Sequence, residues 1–491
     1  MTMKNFNCFL LILLFPVLIF SQDKVKSANE LIDKYCELEM FNGSILVSEG
    51  NSILLERTFG YADYKEGQQL NINTTFELAS VSKAFTAMGI LILVDKGMLS
   101  LDDSLRNFFP QLTYSNITIR NMLTHTSGLP DYIQLFEEKW DHKKVAANND
   151  IIQMLSVHKP PIEFLSGQKW NYSNTGYALL ASIIEKVSDK KYSDFLKENI
   201  FVPLEMNSTS ICTAQSQSIA KNQAKGHIKE PMFANKMQLV SDLKKYDLVY
   251  YLGGIVGDGA VNSNVKDLLK WDEAFINGKL ISKELMAEAL TPVILNDGKN
   301  TETDYGFGWV IKKNITDETE IYHDGGWPGF ITRNYINLDK KRVLIVLSNS
   351  FSSKNNLIAE GLKNIFEGQK YNLPKKSFAI TAGKYLNENG SKDFTEYVDR
   401  IIKSNDYSVS EMEINLLGYQ FLGLEKNAEA IESFKLNVEL FPNSWNVYDS
   451  LGEAYMKSDE NEQAIKNYQK SIELNSDNEN GKKQLQQLLF K

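Results

Sequence analysis

Three short segments of this chain hold residue types that can carry out acyl transfer. The first is Ser80-Val81-Ser82-Lys83. A serine hydroxyl is a weak nucleophile until a base takes its proton. On a helix, positions three apart share a face, so backbone geometry alone holds Lys83 near Ser80. A helix start adds unpaired N–H groups and a positive dipole end, which favour the negative charge of carbonyl attack. The second segment is Tyr172-Ser173-Asn174. Residues two apart in an extended stretch face the same way, so Tyr172 and Asn174 can point into one cleft. A phenol beside an ammonium is a usable proton shuttle, and an asparagine offers a donor and an acceptor to a substrate amide. The third segment is His323-Asp324-Gly325-Gly326. Glycine lets a backbone approach a substrate closely, and an N–H here can pair with that of Ser80 around an oxyanion. His323 can sit beside the substrate as a donor. Each segment alone also fits a plainer reading: a serine N-cap with a solvated lysine, a turn before a helix, a glycine turn between strands.

These residues need elements to position them. Ser80 opens a stretch to about Asp95 in which Ala84, Phe85, Ala87, Met88, Ile90, Leu91, Leu93 and Val94 leave little polar face, which predicts a buried helix. Ser166-Gly167 reads as a turn, and about Thr175 to Val187 as a helix. A helix is expected over about Ala28–Glu39, then two hairpin strands, Ser44–Val47 and Ile53–Thr58. Gly306–Ile311, Glu320–His323, Ile331–Asn337 and Val343–Ser348 read as strands separated by turns at Asn314, Gly325-Gly326 and Asp339-Lys340-Lys341. Strands joined this closely must be antiparallel. A helix follows at about Asn355–Phe366. The fold class is α+β: an antiparallel β-sheet flanked by helices, with an inserted helical subdomain.

Beyond about Pro374 the pattern turns helical. Leu417-Gly418 recurs as Leu451-Gly452, Phe421 as Tyr455, Ala430-Ile431 as Ala464-Ile465 and Phe434 as Tyr468, each pair 34 residues apart. That period, with Leu-Gly in one helix and an alanine and an aromatic in the next, resembles the tetratricopeptide repeat. Two repeats are visible, 411–444 and 445–478, with 479–491 as a capping helix. Helices at about Lys376–Leu386 and Asp393–Lys403 precede them. The resulting division is a signal segment 1–21, a catalytic domain 28–370, a helical linker 371–410 and an all-α helical-repeat domain 411–491.

Composition narrows the function. The 491 residues carry a formal net charge of −9, and no long basic run offers nucleic acid a binding surface. Lys4, the apolar run Phe9–Phe20 and the small Ser21 read as a cleaved export signal, too short to span a bilayer, and no later segment is apolar enough to cross one. Export to the periplasm or outside is therefore expected. Cys36 and Cys212 would survive cleavage, and whether they pair is open. The five histidines are scattered and form no His-Glu-x-x-His, so no metal site is expected.

Together the three segments resemble the serine β-lactamase and DD-peptidase superfamily, with its Ser-x-x-Lys, Ser-Asp-Asn and Lys-Thr-Gly motifs. Phe76-Glu77-Leu78-Ala79 before Ser80, Leu99-Ser100-Leu101-Asp102-Asp103, the segment Ile117–Pro130 containing Thr124-His125-Thr126-Ser127-Gly128, and Gly257-Asp258-Gly259-Ala260-Val261 extend the match. They look like the class C β-lactamase branch with its DD-peptidases and esterases. The resemblance covers about residues 28–370 and implies a β-lactamase/transpeptidase-like fold, with no cofactor. It implies Ser80 as the acylated nucleophile, Lys83 as its activating partner, Tyr172 as proton shuttle and Asn174 as a substrate-binding residue. It places His323 where the motif has lysine, followed by Gly325 and Gly326, the latter giving the second oxyanion N–H. Tyr172 departs from the class A serine. His323 weakens the usual cation for a substrate carboxylate, since histidine is mostly neutral near pH 7. Esterases and peptidases of this branch often carry such a variant. The expected substrates are a D-amino-acid peptide, a short ester or a β-lactam. The rival reading is a non-catalytic sensor or scaffold that acts through its repeats, with a protein or peptide partner on their concave face.

Overall fold

The computed structural model describes residues 10–214, 222–350 and 355–490, and of residues 10–22 and 355–356 the backbone alone. Residues 1–9 of the expected signal segment lie outside the described residues, and the rest of it is the backbone start of the first helix. Among the described residues no helix is long and apolar enough to cross a membrane. The chain divides into two compact units: residues 1–228 with 238–372, and residues 229–237 with 373–491.

The first unit is built on one antiparallel sheet. Its strands are β1 (Gly43–Glu49), β2 (Ser52–Phe59), β3 (Val310–Lys313), β4 (Thr319–Trp327), β5 (Phe330–Asn337) and β6 (Arg342–Ser348), in the order β3-β4-β5-β6-β1-β2. The N-terminal hairpin therefore pairs with the last strand, Ile45 opposite Val346. Alternation along these strands sorts side chains onto two faces. Ile45, Val47, Leu344 and Val346 pack with α1 (Leu10–Glu37) and a later helix, α5 (Asn355–Glu367), through Leu31, Ile32, Ile358 and Leu362. Leu46, Val343, Ile345 and Leu347 face the opposite core. There lie α2 (Ser82–Asp95), α3 (Asn174–Ser188) and α4 (Val265–Ile276), and Trp271 of α4 stacks on Phe85 of α2 with centroids 4.2 Å apart. Lacking a polar face, α2 buries all its side chains from Ser82 to Leu93.

Three expectations need correction. Gly306–Ile311 is not one strand, because β3 begins only at Val310. Gly325 and Gly326 are not a turn. They lie inside β4, paired with Thr332 and Ile331, and the reversal is made by Pro328-Gly329, with Gly329 at φ +87°. Strand structure does not end before Pro374, since Lys376–Ser377 pairs in parallel with Tyr407–Ser408.

The second unit is all-α apart from that two-residue pair. Its helices are α6 (Phe378–Asn389), α7 (Phe394–Ile402), α8 (Glu411–Gly423), α9 (Asn427–Leu440), α10 (Trp445–Lys457), α11 (Asn461–Leu474) and α12 (Glu479–Leu489). The 34-residue period has a packing basis. A side chain on Gly418 would overlap the ring of Phe434, and one on Gly452 would stand 3.2 Å from the ring of Tyr468. The glycine of each first helix thus admits the aromatic of the second. The two helices ahead of the repeats pack with them, since Phe378, Ala382, Phe394 and Val398 share one core with Leu417, Phe421 and Phe434. Residues 229–237 belong here too. Phe233 stacks on Phe421 at 4.6 Å, and the Met232 N–H donates to Gln420 Oε1 at 2.8 Å. Cys36 and Cys212 are both free.

Candidate active site

Ser80 does not stand on an α-helix. It occupies a 3₁₀ turn, Ala79–Val81, that runs directly into α2. In 3₁₀ geometry side chains three apart eclipse, so the turn brings Ser80 over Lys83 more directly than an α-helix would. Ala79 adopts φ +49°, a left-handed conformation that a non-glycine residue holds only when its surroundings impose it. The surroundings are visible. The Leu78 N–H donates to Val261 O at 2.8 Å, the Thr332 hydroxyl donates to Leu78 O at 2.7 Å, and the Val261 N–H donates to Ser82 Oγ at 3.1 Å. Gly325 closes the same contact. A Cβ there would overlap Leu78 O and Thr332 Oγ1, so glycine is required by close approach of β4 to the serine turn.

Lys83 is fully buried and carries three bonds. Its Nζ donates to Ser80 Oγ at 3.2 Å, to Asn174 Oδ1 at 2.8 Å and to the Asp258 carbonyl at 2.8 Å. Three acceptors match the three N–H donors of an ammonium. Asn174 is the first residue of α3, whose N-cap Ser173 accepts from the Gly176 N–H at 3.1 Å, so capping aims the asparagine at Lys83. Tyr172 lies just before the cap, its ring centroid 4.8 Å from Lys83 Nζ. Ser80, Asn174 and Gly326 line a cavity of about 730 Å³, with Glu77, Asp258 and Trp327 also in its wall. A Cβ on Gly326 would meet nothing within 4 Å.

His323 has a different setting from the one expected. It is 4% exposed and does not stand free beside the cavity. Its Nδ1 is 2.7 Å from the Asp324 carbonyl, which can only accept, so Nδ1 carries the proton. Its Nε2 then accepts from the Tyr305 hydroxyl at 3.0 Å. Both nitrogens are engaged internally, leaving no donor for a substrate. Burial, and then the Lys83 ammonium, push its pKa down to about 4. Desolvation and the neighbouring Asp258 push Glu77 up to about 7, and desolvation raises Asp258 against the opposing pull of Lys83 and the Tyr132 hydroxyl, which donates to it at 2.8 Å.

Several residues that shape the site carry no local signal in the sequence. Thr332, Tyr132 and Tyr305 sit in no motif and act across the fold, so local sequence carries no signal of them. Asp258 and His125 stand in segments that carried the family resemblance, yet nothing at their own positions assigns them a contact.

The family model described as Beta-lactamase matches residues 29–363. The chain belongs to the beta-lactamase family. Among its relatives in that family, penicillin-binding protein 4* of Bacillus subtilis is 39% identical over 378 residues, covering 75% of this chain and 83% of that protein. The octameric penicillin-binding protein homologue from Pyrococcus abyssi superposes with a TM-score of 0.59 at 26% identity, over 74% of this chain and 81% of its own. D-amino acid amidase from Ochrobactrum anthropi, at 23% identity and TM-score 0.58 over 70% of this chain and 99% of its own, shares the fold. A beta-lactamase-family serine hydrolase thus carries a C-terminal all-helical unit.

Proposed function

We propose that this protein is an exported serine hydrolase working through a Ser80 acyl-enzyme. The observation that carries the reading is the bond from Lys83 Nζ to Ser80 Oγ at 3.2 Å, with the same ammonium held by Asn174. Ser80 Oγ attacks an amide or ester carbonyl and forms the C–O bond. The backbone N–H groups of Ser80 and Gly326 receive the oxyanion. The proton of Ser80 passes through the Tyr172 hydroxyl to the departing amine or alcohol. Water then cleaves the ester, and its proton returns to Ser80 by the same route.

One feature favours an amide of a D-amino acid or a short ester over a β-lactam: His323, neutral and bonded internally at both nitrogens, supplies no cation for the carboxylate of a β-lactam. The helical unit is read as tetratricopeptide-like, with a peptide or protein as partner. That reading draws support from the repeated glycine–aromatic packing of Gly418 with Phe434 and Gly452 with Tyr468.

The test is intact mass spectrometry of the protein mixed with a fluorophosphonate, a D-amino-acid amide, a nitrophenyl ester and nitrocefin. The expected result is a covalent adduct that Ser80→Ala abolishes, with turnover of the amide or ester. A stable adduct with no turnover of any donor would favour a sensor, and no adduct at all would end the hydrolase reading.

A further inference from the structure

His125 belongs to none of the steps above, yet it holds the chain on both sides of Tyr172. Its carbonyl accepts from the Asn171 N–H at 3.0 Å, and its Nδ1 accepts from the Ser173 N–H at 3.0 Å. Its ring faces the Tyr172 ring with centroids 4.4 Å apart. On its other sides stand Tyr305 at 4.5 Å, Tyr177 at 5.1 Å and Trp170 at 5.9 Å.

One residue can bracket another like this only in an unusual pose. His125 has φ +59°, so its carbonyl and side chain reach the same strand of chain. Such a backbone is uncommon outside glycine and persists where the surroundings fix it. The ring is fully buried. Because the Ser173 N–H is a donor, Nδ1 must be bare and the proton must sit on Nε2, which has no partner among the described residues. A buried N–H left unpaired carries a cost. The bond that the tautomer secures, to the amide following Tyr172, offsets it. Burial, then Lys83 and His323, hold the imidazole neutral.

We infer that His125 is a positioning residue for acyl transfer: by gripping the amides of Asn171 and Ser173 it fixes the Tyr172 ring against the Lys83 ammonium. The inference rests on the hydrolase reading above, in which Tyr172 carries the proton. A misplacement of about 1 Å at such a group can cost ~10²-fold in rate.

The experiment is a double-mutant cycle on a nitrophenyl ester, with the wild type measured first. His125→Leu removes the acceptor, His125→Asn restores one at the place of Nδ1, and Tyr172→Phe removes the phenol. The expected result is a kcat lowered ~10–100-fold in His125→Leu with KM little changed, recovery of most of that loss in His125→Asn, and no further loss when His125→Leu is added to Tyr172→Phe. If His125→Leu does not fold, His125→Phe, which keeps a ring against Tyr172, takes its place in the cycle. Equal rates in Leu and Asn variants, an unchanged kcat, or full additivity with Tyr172→Phe overturns the inference. A wild type that never acylates Ser80 overturns the hydrolase reading instead.

Discussion

The Tyr305 hydroxyl donates to His323 Nε2 at 3.0 Å, and this bond fixes His323 as a neutral imidazole whose only N–H points to its neighbour's carbonyl. A pH dependence of stability follows. The pKa of His323 is lowered from its ordinary 6.5 to about 4 in the folded chain, so between those values the unfolded chain binds a proton that the folded one does not. Stability therefore falls as pH drops from about 6.5 to about 4, with a slope of up to ~1.4 kcal/mol per pH unit for this site. His125, held well below its ordinary value by burial, adds a slope of the same sign. Glu77, raised to about 7 by burial and by Asp258, contributes a slope of opposite sign over much of the same range, so the His323 part is read as the difference between wild type and His323→Gln in urea unfolding, which should fall from neutral to acid pH. An equal slope in that variant would show that His323 is not the group responsible.

Gly325 and Gly326 are neighbours with opposite tolerances. Gly325→Ala would press a methyl group onto Leu78 O and Thr332 Oγ1, at the base of the serine turn. Overpacking of this kind costs ~1–3 kcal/mol, so a lower Tm and a lower acylation rate are expected together. Gly326→Ala meets nothing within 4 Å and should fold with an unchanged Tm. Its methyl faces the cavity, so its effect should appear as a raised KM for bulky acyl donors. Calorimetry and steady-state kinetics on the pair separate the two.

Lys83→Met keeps the length of the side chain and removes the ammonium that touches Ser80 Oγ and Asn174 Oδ1. Acylation by a fluorophosphonate should slow by ~10²–10⁴-fold, the usual worth of a positioned proton-transfer group. Stopped-flow labelling measures it. A loss below tenfold would remove Lys83 from the chemistry.

Tyr132→Phe takes the hydroxyl from Asp258 Oδ2 and leaves a carboxylate in the cavity wall short of a donor. A stability loss of ~1–3 kcal/mol is expected, and the Asp258 carbonyl that receives Lys83 should shift with it. Chemical denaturation gives the first quantity and the acylation rate the second.

Much of this architecture was legible in sequence because it is written locally. The hairpin of β1 and β2, the buried α2 and the glycine–aromatic period of the repeats all follow from alternation, apolar runs or spacing. The meeting of Ser80, Lys83 and Asn174 was legible only through three motifs read together. What failed to show was set by distance in the chain. Gly325 read as a turn because glycine has two uses, flexibility and thinness, and only the packed Leu78 carbonyl says which applies. His323 read as a substrate contact because Tyr305, which occupies it, lies 18 residues away with no motif around it. The 3₁₀ turn at Ser80 depends on bonds to Val261 and Thr332 that no window of sequence contains.

Residues 229–237 lie in the middle of the chain, yet Phe233 sits in the core of the C-terminal helices against Phe421. Inheritance of the tail is thereby tied to a nine-residue plug encoded far upstream. A single recombination event near residue 372 would deliver helices with a hole where Phe233 belongs, or a hydrolase displaying a greasy Met232-Phe233 tip with nothing to receive it. The two units can be traded between relatives only as a matched set.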